Sequence, residues 1–127
     1  MVDGDFYGNG GEKRIVGDRA ALALVRHNEV SALSNALGSD NAMVRIRAVR
    51  ALGACGVQAI TPKLVELAKD SEASVRKEVI RTLGKIGREH PEIRDELRPI
   101  LEVATKDGRR SVSDEAVRML KRWPEEN

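Results

Sequence analysis

Two similar stretches of the chain, VRIRAVRALG at 44–53 and VRKEVIRTLG at 75–84, are the strongest indication of its architecture. Aligned with a shift of 31 residues and extended to the next glycine of each, they are identical at six of thirteen positions. A third copy follows with a shift of 37, carrying in order the equivalents Asp107, Val112 and Arg118. A unit that recurs in this way predicts an array of stacked repeats, because one unit alone cannot bury its apolar face.

Each unit contains two stretches whose apolar residues recur every three or four positions, the pattern of an amphipathic helix. In the second unit one such stripe consists of Val75, Val79, Leu83 and Ile86. No stretch alternates with a period of two, so we predict no sheet. The first helices of the units are predicted over 29–38, 60–69 and 92–106, and the second helices over 42–55, 73–86 and 112–122.

Proline and glycine mark the expected ends of these helices. Thr61-Pro62 predicts a helix start, and Gly56 and Gly87 predict helix stops. Pro99 aligns with Pro62 and is therefore also expected to mark a start. The segment before Pro99 is then either a separate helical turn or the front of a longer helix kinked at Pro99, and we favour the kinked helix.

The 127 residues suffice for one domain. We predict a flexible, glycine-rich tail over 1–11 and a single domain over 12–127. That domain begins with an unpaired helix over 13–27, followed by repeats at about 29–56, 59–87 and 92–122. Trp123 is expected to cover the far end of the stack. An alternative for the tail is that Phe6 and Tyr7 dock on a groove of this chain or of a neighbour.

Composition narrows the class of protein. A net charge of +2 is too small to indicate a nucleic-acid or membrane partner by itself. The single cysteine, Cys55, excludes an intramolecular disulfide and is expected to be a small core residue on the apolar stripe. Neither a signal peptide nor a long apolar run is visible, so we predict a cytoplasmic protein with no membrane span.

The pattern V-R-x-x-[VA]-[VI]-R-x-L-G-x-[IC]-G, preceded by a first helix and a turn with Asp70, resembles the HEAT repeat in its short, bilin-lyase-like subtype. The resemblance covers residues 30–122. It implies an all-α fold, a right-handed α-solenoid of about three and a half helical hairpins, whose second helices line a concave, partner-binding side. It also implies that Arg45 and Arg76 make structural contacts between adjacent repeats, with the aspartate of the turn as a partner.

Charge is distributed unevenly between the two kinds of helix. Segments with second helices carry net positive charge, whereas segments with first helices are neutral or negative. Spacing of i,i+3 predicts that Glu78 pairs with Arg81 and Glu115 with Arg118, which leaves Arg47 and Arg50 unpaired. An ordinary solvated face is the alternative reading. The candidate partner-binding residues of the concave face are Arg47, Arg50, Lys77, Glu78, Arg81, Lys85, Glu115, Arg118 and Arg122.

These observations predict a non-enzymatic binding module whose basic concave face accepts an acidic protein segment. The alternatives are sequence-independent binding of nucleic acid by the same face, and an accessory role like that of bilin lyases. Self-association through the ends of the stack is left open. No catalytic residue, cofactor or metal is expected. Deoxyhypusine hydroxylase, built from similar repeats, holds two irons with His-Glu pairs, whereas this chain has Lys77-Glu78 at the corresponding place.

Overall fold

A computed structural model describes residues 28–55 and 60–124. Contacts divide the chain into two compact units, Met1–Ala32 and Leu33–Asn127. The predicted tail over 1–11, the predicted helix over 13–27 and the predicted stop at Gly56 lie outside the described residues. The single domain over 12–127 therefore stays a prediction.

The described residues form six helices and contain no strand, which confirms the predicted all-α fold. Second helices begin and end close to where the apolar pattern predicts them, because that pattern sets how much of each helix can be buried. The helices are α1, described over 28–36, α2 at Ala42–Cys55, α3 at Thr61–Leu67, α4 at Ala73–Glu89, α5 at Pro91–Ala104 and α6 at Arg110–Arg122.

Helix α4 lies at the centre of the second unit. It packs against α2 and against α6, so the three second helices form a row with α4 in the middle. Helices α3 and α5 both contact α4, and α5 also packs on α6. This arrangement of first helices on a row of second helices is that of a helical solenoid.

The core contains the apolar stripes that the sequence predicts. Val75, Val79 and Leu83 on α4 are completely buried, and Ile86 is nearly so. From the neighbouring helices, Leu64 of α3 and Leu101 of α5 are also completely buried. Aliphatic side chains of moderate size therefore fill most of the space between these helices, as the scarcity of aromatic residues requires.

The junction of α4 and α5 differs from the prediction. Helix α4 continues past Gly87 to Glu89, so the predicted stop at Gly87 is wrong. The buried Arg94 stabilises this longer end, because its Nε donates to the carbonyl of Gly87 at 2.8 Å and its Nη2 to that of Arg88 at 3.1 Å. A cation that binds the last carbonyls of a helix replaces the missing intrahelical donors.

Helix α5 starts at Pro91 and includes Pro99 in its interior. The expectation that Pro99 marks a start is wrong, and of the two alternatives for the preceding segment the longer helix is the observed one. Pro91 provides the start instead, since a proline in the first turn loses no intrahelical hydrogen bond.

Trp123, which directly follows α6, packs back onto α4. Its side chain is buried, its Nε1 donates to the carbonyl of Gly84 at 2.6 Å, and the guanidinium of Arg98 lies 5.3 Å from its ring centroid. The side chain also packs directly on Gly87, where an added Cβ would collide with the indole ring. Gly87 is thus a contact point between helices rather than a stop.

Two repeated Arg–Asp pairs join the turns of successive units. Arg45 donates Nε and Nη2 to the carboxylate of Asp70, both at 2.9 Å, and Arg76 binds Asp107 in the same way at 2.8 and 3.0 Å. The remaining Nη1 of each arginine donates to a turn carbonyl: Arg45 to that of Ser39, and Arg76 to that of Asp70. The implied structural role of these arginines and their aspartate partners is confirmed.

Both aspartates are held in the ionised form. Hydrogen bonds from Arg76 lower the pKa of Asp107 against the opposing effect of burial. Burial alone would raise the pKa of Asp70, but the hydrogen bonds from Arg45 and from the backbone N–H of Glu72 bring it below its ordinary value. The pKa values of Arg45 and Arg76 are raised by the same bonds, so each pair is fully charged at neutral pH.

Candidate functional site

The row of second helices presents cationic side chains on one face. We call this the second-helix face and define it by the exposed or half-buried residues Arg47, Arg50, Lys77, Arg81, Lys85, Arg88, Arg118 and Arg122. Contacts and shared grooves bring most of these residues together across α2, α4 and α6. Arg47 and Lys77 lie about one helical turn before Arg50 and Arg81, so they extend the same face toward the helix starts.

Three arginines and two glutamates form a continuous chain of ion pairs across this face, which we call the Arg–Glu ladder. Arg50 of α2 binds Glu78 of α4 at 3.1 Å, and Arg81 of α4 binds Glu115 of α6 at 3.4 Å. Within the helices, Arg81 lies 3.6 Å from Glu78 and Arg118 lies 2.6 Å from Glu115. Each glutamate therefore holds one arginine from its own helix and one from the preceding second helix.

The predicted i,i+3 pairs of Glu78 with Arg81 and of Glu115 with Arg118 are confirmed. The prediction that Arg50 is unpaired is wrong, because the packing of α2 on α4 brings it to Glu78, 28 positions further along the chain. Arg47 makes no ion pair with any residue of 28–55 or 60–124.

The two ladder glutamates are buried, with Glu78 at 7% and Glu115 at 1% exposure. The side chains of their arginine partners stay open to solvent, at 64% for Arg50, 47% for Arg81 and 53% for Arg118. The carboxylates thus lie beneath the face and their positions orient the guanidinium groups above them. Fixing an arginine in this way reduces the rotamer entropy that it would lose on binding a ligand.

Two grooves run between neighbouring second helices on this face. The α2–α4 groove has a volume of about 310 Å³ and is lined by Arg50, Gly53, Ala54, Glu78, Arg81, Thr82 and Lys85. The α4–α6 groove has a volume of about 330 Å³ and is lined by Arg81, Gly84, Lys85, Arg88, Glu89, Met119 and Arg122. Arg81 and Lys85 lie between the grooves and line both.

Glycine allows the helices to approach at the bottom of each groove. A Cβ added at Gly53 would lie 2.8 Å from Cγ2 of Thr82, and one added at Gly84 would lie 2.6 Å from Cβ of Met119. Real side chains do not tolerate such distances, so glycine at these two positions is a packing requirement. Arg88 and Met119 are not among the residues predicted for this face. For Arg88, its helical spacing from Gly84 and Lys85 was the available signal.

Metal binding and the position of the single cysteine were the other features to check in the described part of the chain. Within it, no three His, Cys, Asp or Glu side chains come close enough together to hold a metal ion. Cys55 is exposed, so its predicted place in the core is wrong. Its equivalent on α4, Ile86, is followed by three more helical residues on a helix that packs against both α2 and α6, whereas Cys55 is the last residue of α2.

The length and hydropathy of a helix decide whether it could span a membrane. Across 28–55 and 60–124, every helix is either too short or too polar to reach from one side of a bilayer to the other.

Comparison with known proteins agrees with the repeated geometry. The family model for HEAT repeats matches residues 30–121, which include α2 to α6 almost entirely. The chain belongs to the HEAT-repeat family. HEAT repeats generally serve as protein-interaction scaffolds and are typically non-catalytic. No curated protein matches the chain.

Within this HEAT-repeat protein, the geometry that repeats from unit to unit has two separate parts. The Arg45–Asp70 and Arg76–Asp107 pairs tie the turns together and are largely withdrawn from solvent. In the Arg–Glu ladder and the two grooves, by contrast, the cationic groups are exposed to solvent. The second set is therefore the candidate site, and the first set is part of its scaffold.

Proposed function

We propose that this HEAT-repeat protein is a non-enzymatic binding module whose second-helix face accepts an acidic segment of another protein. The observation that carries the proposal is the Arg–Glu ladder, which holds three solvent-exposed arginines in a row above buried carboxylates. Such a row offers guanidinium groups in fixed positions to carboxylates of a partner, and arginine binds carboxylates with two parallel hydrogen bonds.

The size of the face is compatible with a protein partner. Three neighbouring second helices offer on the order of 800 Å² to a partner, which is the scale of a standard interface. The ladder glutamates Glu78 and Glu115 contribute by positioning arginines, whereas Arg47, Lys77, Lys85 and Arg122 contribute charge. Complementary charge of this kind mainly raises the association rate and selects against basic partners.

Nucleic acid is less well supported as the partner. Proteins that bind single strands without sequence preference stack bases on exposed aromatic side chains. Among Phe, Tyr and Trp, only Trp123 lies in the described residues, and it is buried. The two ladder glutamates also offset part of the positive charge that phosphates would meet.

The test is an affinity purification that compares two variants of equal net charge. In the first, Arg47→Glu and Arg50→Gln change the face while avoiding a new carboxylate against Glu78. In the matched control, Lys63→Glu and Lys69→Gln change exposed cations on and after α3. We expect the face variant to lose co-purified acidic proteins that the wild type and the control retain, as quantified by mass spectrometry. Equal recovery of these proteins by both variants would contradict the proposed face.

A further inference from the structure

The α4–α6 groove differs from the Arg–Glu ladder in how many of its cations are paired with a carboxylate. Four cations line it, Arg81, Lys85, Arg88 and Arg122, against the single carboxylate of Glu89. Of these cations, Arg81 belongs to the Arg–Glu ladder. Within residues 28–55 and 60–124, the other three have no carboxylate oxygen within the 4.0 Å that defines an ion pair. The charge available to a ligand is therefore concentrated at this groove rather than at the ladder.

The floor of the groove is apolar. It consists of Gly84 and the side chain of Met119, and the position of the Gly84 backbone is fixed by the hydrogen bond from Trp123. Methionine adapts its shape to different apolar partners because it is unbranched and polarisable. A floor of this kind, surrounded by cations, is complementary to an apolar side chain that has acidic neighbours.

The volume of the groove limits what can occupy it. Pockets for small molecules and cofactors span about 300–1,000 Å³. At about 330 Å³ the α4–α6 groove lies at the lower end of that range, which suits one or two side chains of a peptide. The α2–α4 groove has a similar volume, but its lining includes the buried Glu78 and its floor includes the hydroxyl-bearing Thr82.

We infer that the α4–α6 groove is the anchoring site within the second-helix face, and that it takes one apolar side chain of a partner protein flanked by acidic residues. The inference rests on the proposed function and specifies the partner further. The apolar side chain contacts Gly84 and Met119, while the flanking carboxylates pair with Lys85, Arg88 and Arg122.

The test is an NMR titration of the full chain with a synthetic peptide in which one leucine is flanked on each side by two acidic residues. A second peptide has serine in place of the leucine. We expect amide shifts centred on Gly84, Lys85, Arg88 and Met119, and about tenfold tighter binding of the leucine peptide, since a buried leucine contributes at least that factor.

Each alternative outcome is decisive. Shifts confined to Arg50 and Gly53 would overturn the anchoring site and leave the proposed function in place. The absence of shifts anywhere on α2, α4 and α6 would overturn both. Displacement of the peptide by an equimolar single-stranded oligonucleotide would overturn the choice of a protein partner. Equal affinities for the leucine and serine peptides would overturn the apolar anchor.

Variants with reversed charge test the groove directly. Their stability is measured beside their binding, because basic residues in the last turn of a helix also stabilise that helix. Lys85→Glu with Arg122→Glu should weaken peptide binding by about tenfold or more. Lys63→Glu with Lys106→Glu, at exposed sites outside the groove, is the control with the same net charge. If the control weakens binding equally, general electrostatic attraction explains the affinity and the anchoring site is wrong. Thermal unfolding of both variants checks whether each remains folded.

Discussion

At the scale of single residues, the small size of glycine decides how closely the second helices approach. Gly53 faces Thr82 across the α2–α4 contact, and Gly84 faces Met119 across the α4–α6 contact. Lys121 holds the equivalent place on α6, where no further second helix packs among the described residues. Glycine thus occurs in this position where another helix crosses it.

Gly84→Ala should therefore destabilise the protein, although alanine is the better helix former. The new Cβ would lie 2.6 Å from Cβ and Cγ of Met119, so α6 has to move. Overpacking of this kind costs about 1–3 kcal/mol, which exceeds the gain in helix propensity of up to about 1 kcal/mol. Urea unfolding followed by circular dichroism measures the difference.

The matched control is Gly108→Ala, because a Cβ there meets no atom within 4 Å. Its free energy of unfolding should stay within about 0.5 kcal/mol of the wild type. Equal effects of the two substitutions would show that close packing at Gly84 is not the reason for its glycine.

At the scale of elements, the three second helices begin in two different ways. The side chain of Asn41, directly before α2, accepts hydrogen bonds from the backbone N–H groups of Met43 at 2.9 Å and Val44 at 3.4 Å. Helices α4 and α6 lack such a side-chain cap at Glu72 and Arg109. There the aspartate two positions earlier, Asp70 or Asp107, accepts from the N–H of the cap residue.

Asn41→Ala should consequently destabilise the protein by about 0.5–2 kcal/mol, because it removes the acceptor for two free N–H groups. Arg109→Ala, at the corresponding position before α6, makes no side-chain cap bond and should change the free energy of unfolding by about 0.5 kcal/mol or less. Thermal melts of the two variants provide the comparison. Comparable losses of stability at both positions would contradict this account of the helix starts.

At the scale of the whole molecule, the repeated Arg–Asp pairs make stability depend on pH. Both aspartates have pKa values below their ordinary value of 3.8 in the folded protein. The unfolded chain therefore binds these protons more readily than the folded one. The stabilisation is fully present above about pH 4 and is lost as the pH falls through the lower, folded pKa values.

The urea midpoint should accordingly change little between about pH 7 and pH 5 and fall between about pH 4 and pH 2. Asp107→Asn removes one of the two carboxylates and should lower stability at pH 7 by about 1–3 kcal/mol, the scale of hydrogen bonds to a charged group. Its midpoint should also fall less steeply in acid. An acid dependence as steep as that of the wild type would show that Asp107 does not contribute to it.

The helices and their order could be predicted from the amino-acid sequence alone. Each unit carries its own apolar stripe, and a stripe such as Val75, Val79, Leu83 and Ile86 depends only on neighbours within one helix. The local i,i+3 pairs, such as Glu115 with Arg118, could be predicted for the same reason. The Arg–Asp contacts between turns were implied by the resemblance to HEAT repeats.

The contacts between helices could be identified only once the helices were seen packed together. The partner of Arg50 is Glu78 on the next second helix, and the partner of Gly87 is Trp123, so local spacing predicted neither the ion pair nor the role of the glycine. Arg88 and Met119 likewise share a groove only because α4 and α6 pack side by side. Distance along the chain sets contacts within a helix, whereas contacts between helices depend on how the packed helices are rotated and spaced.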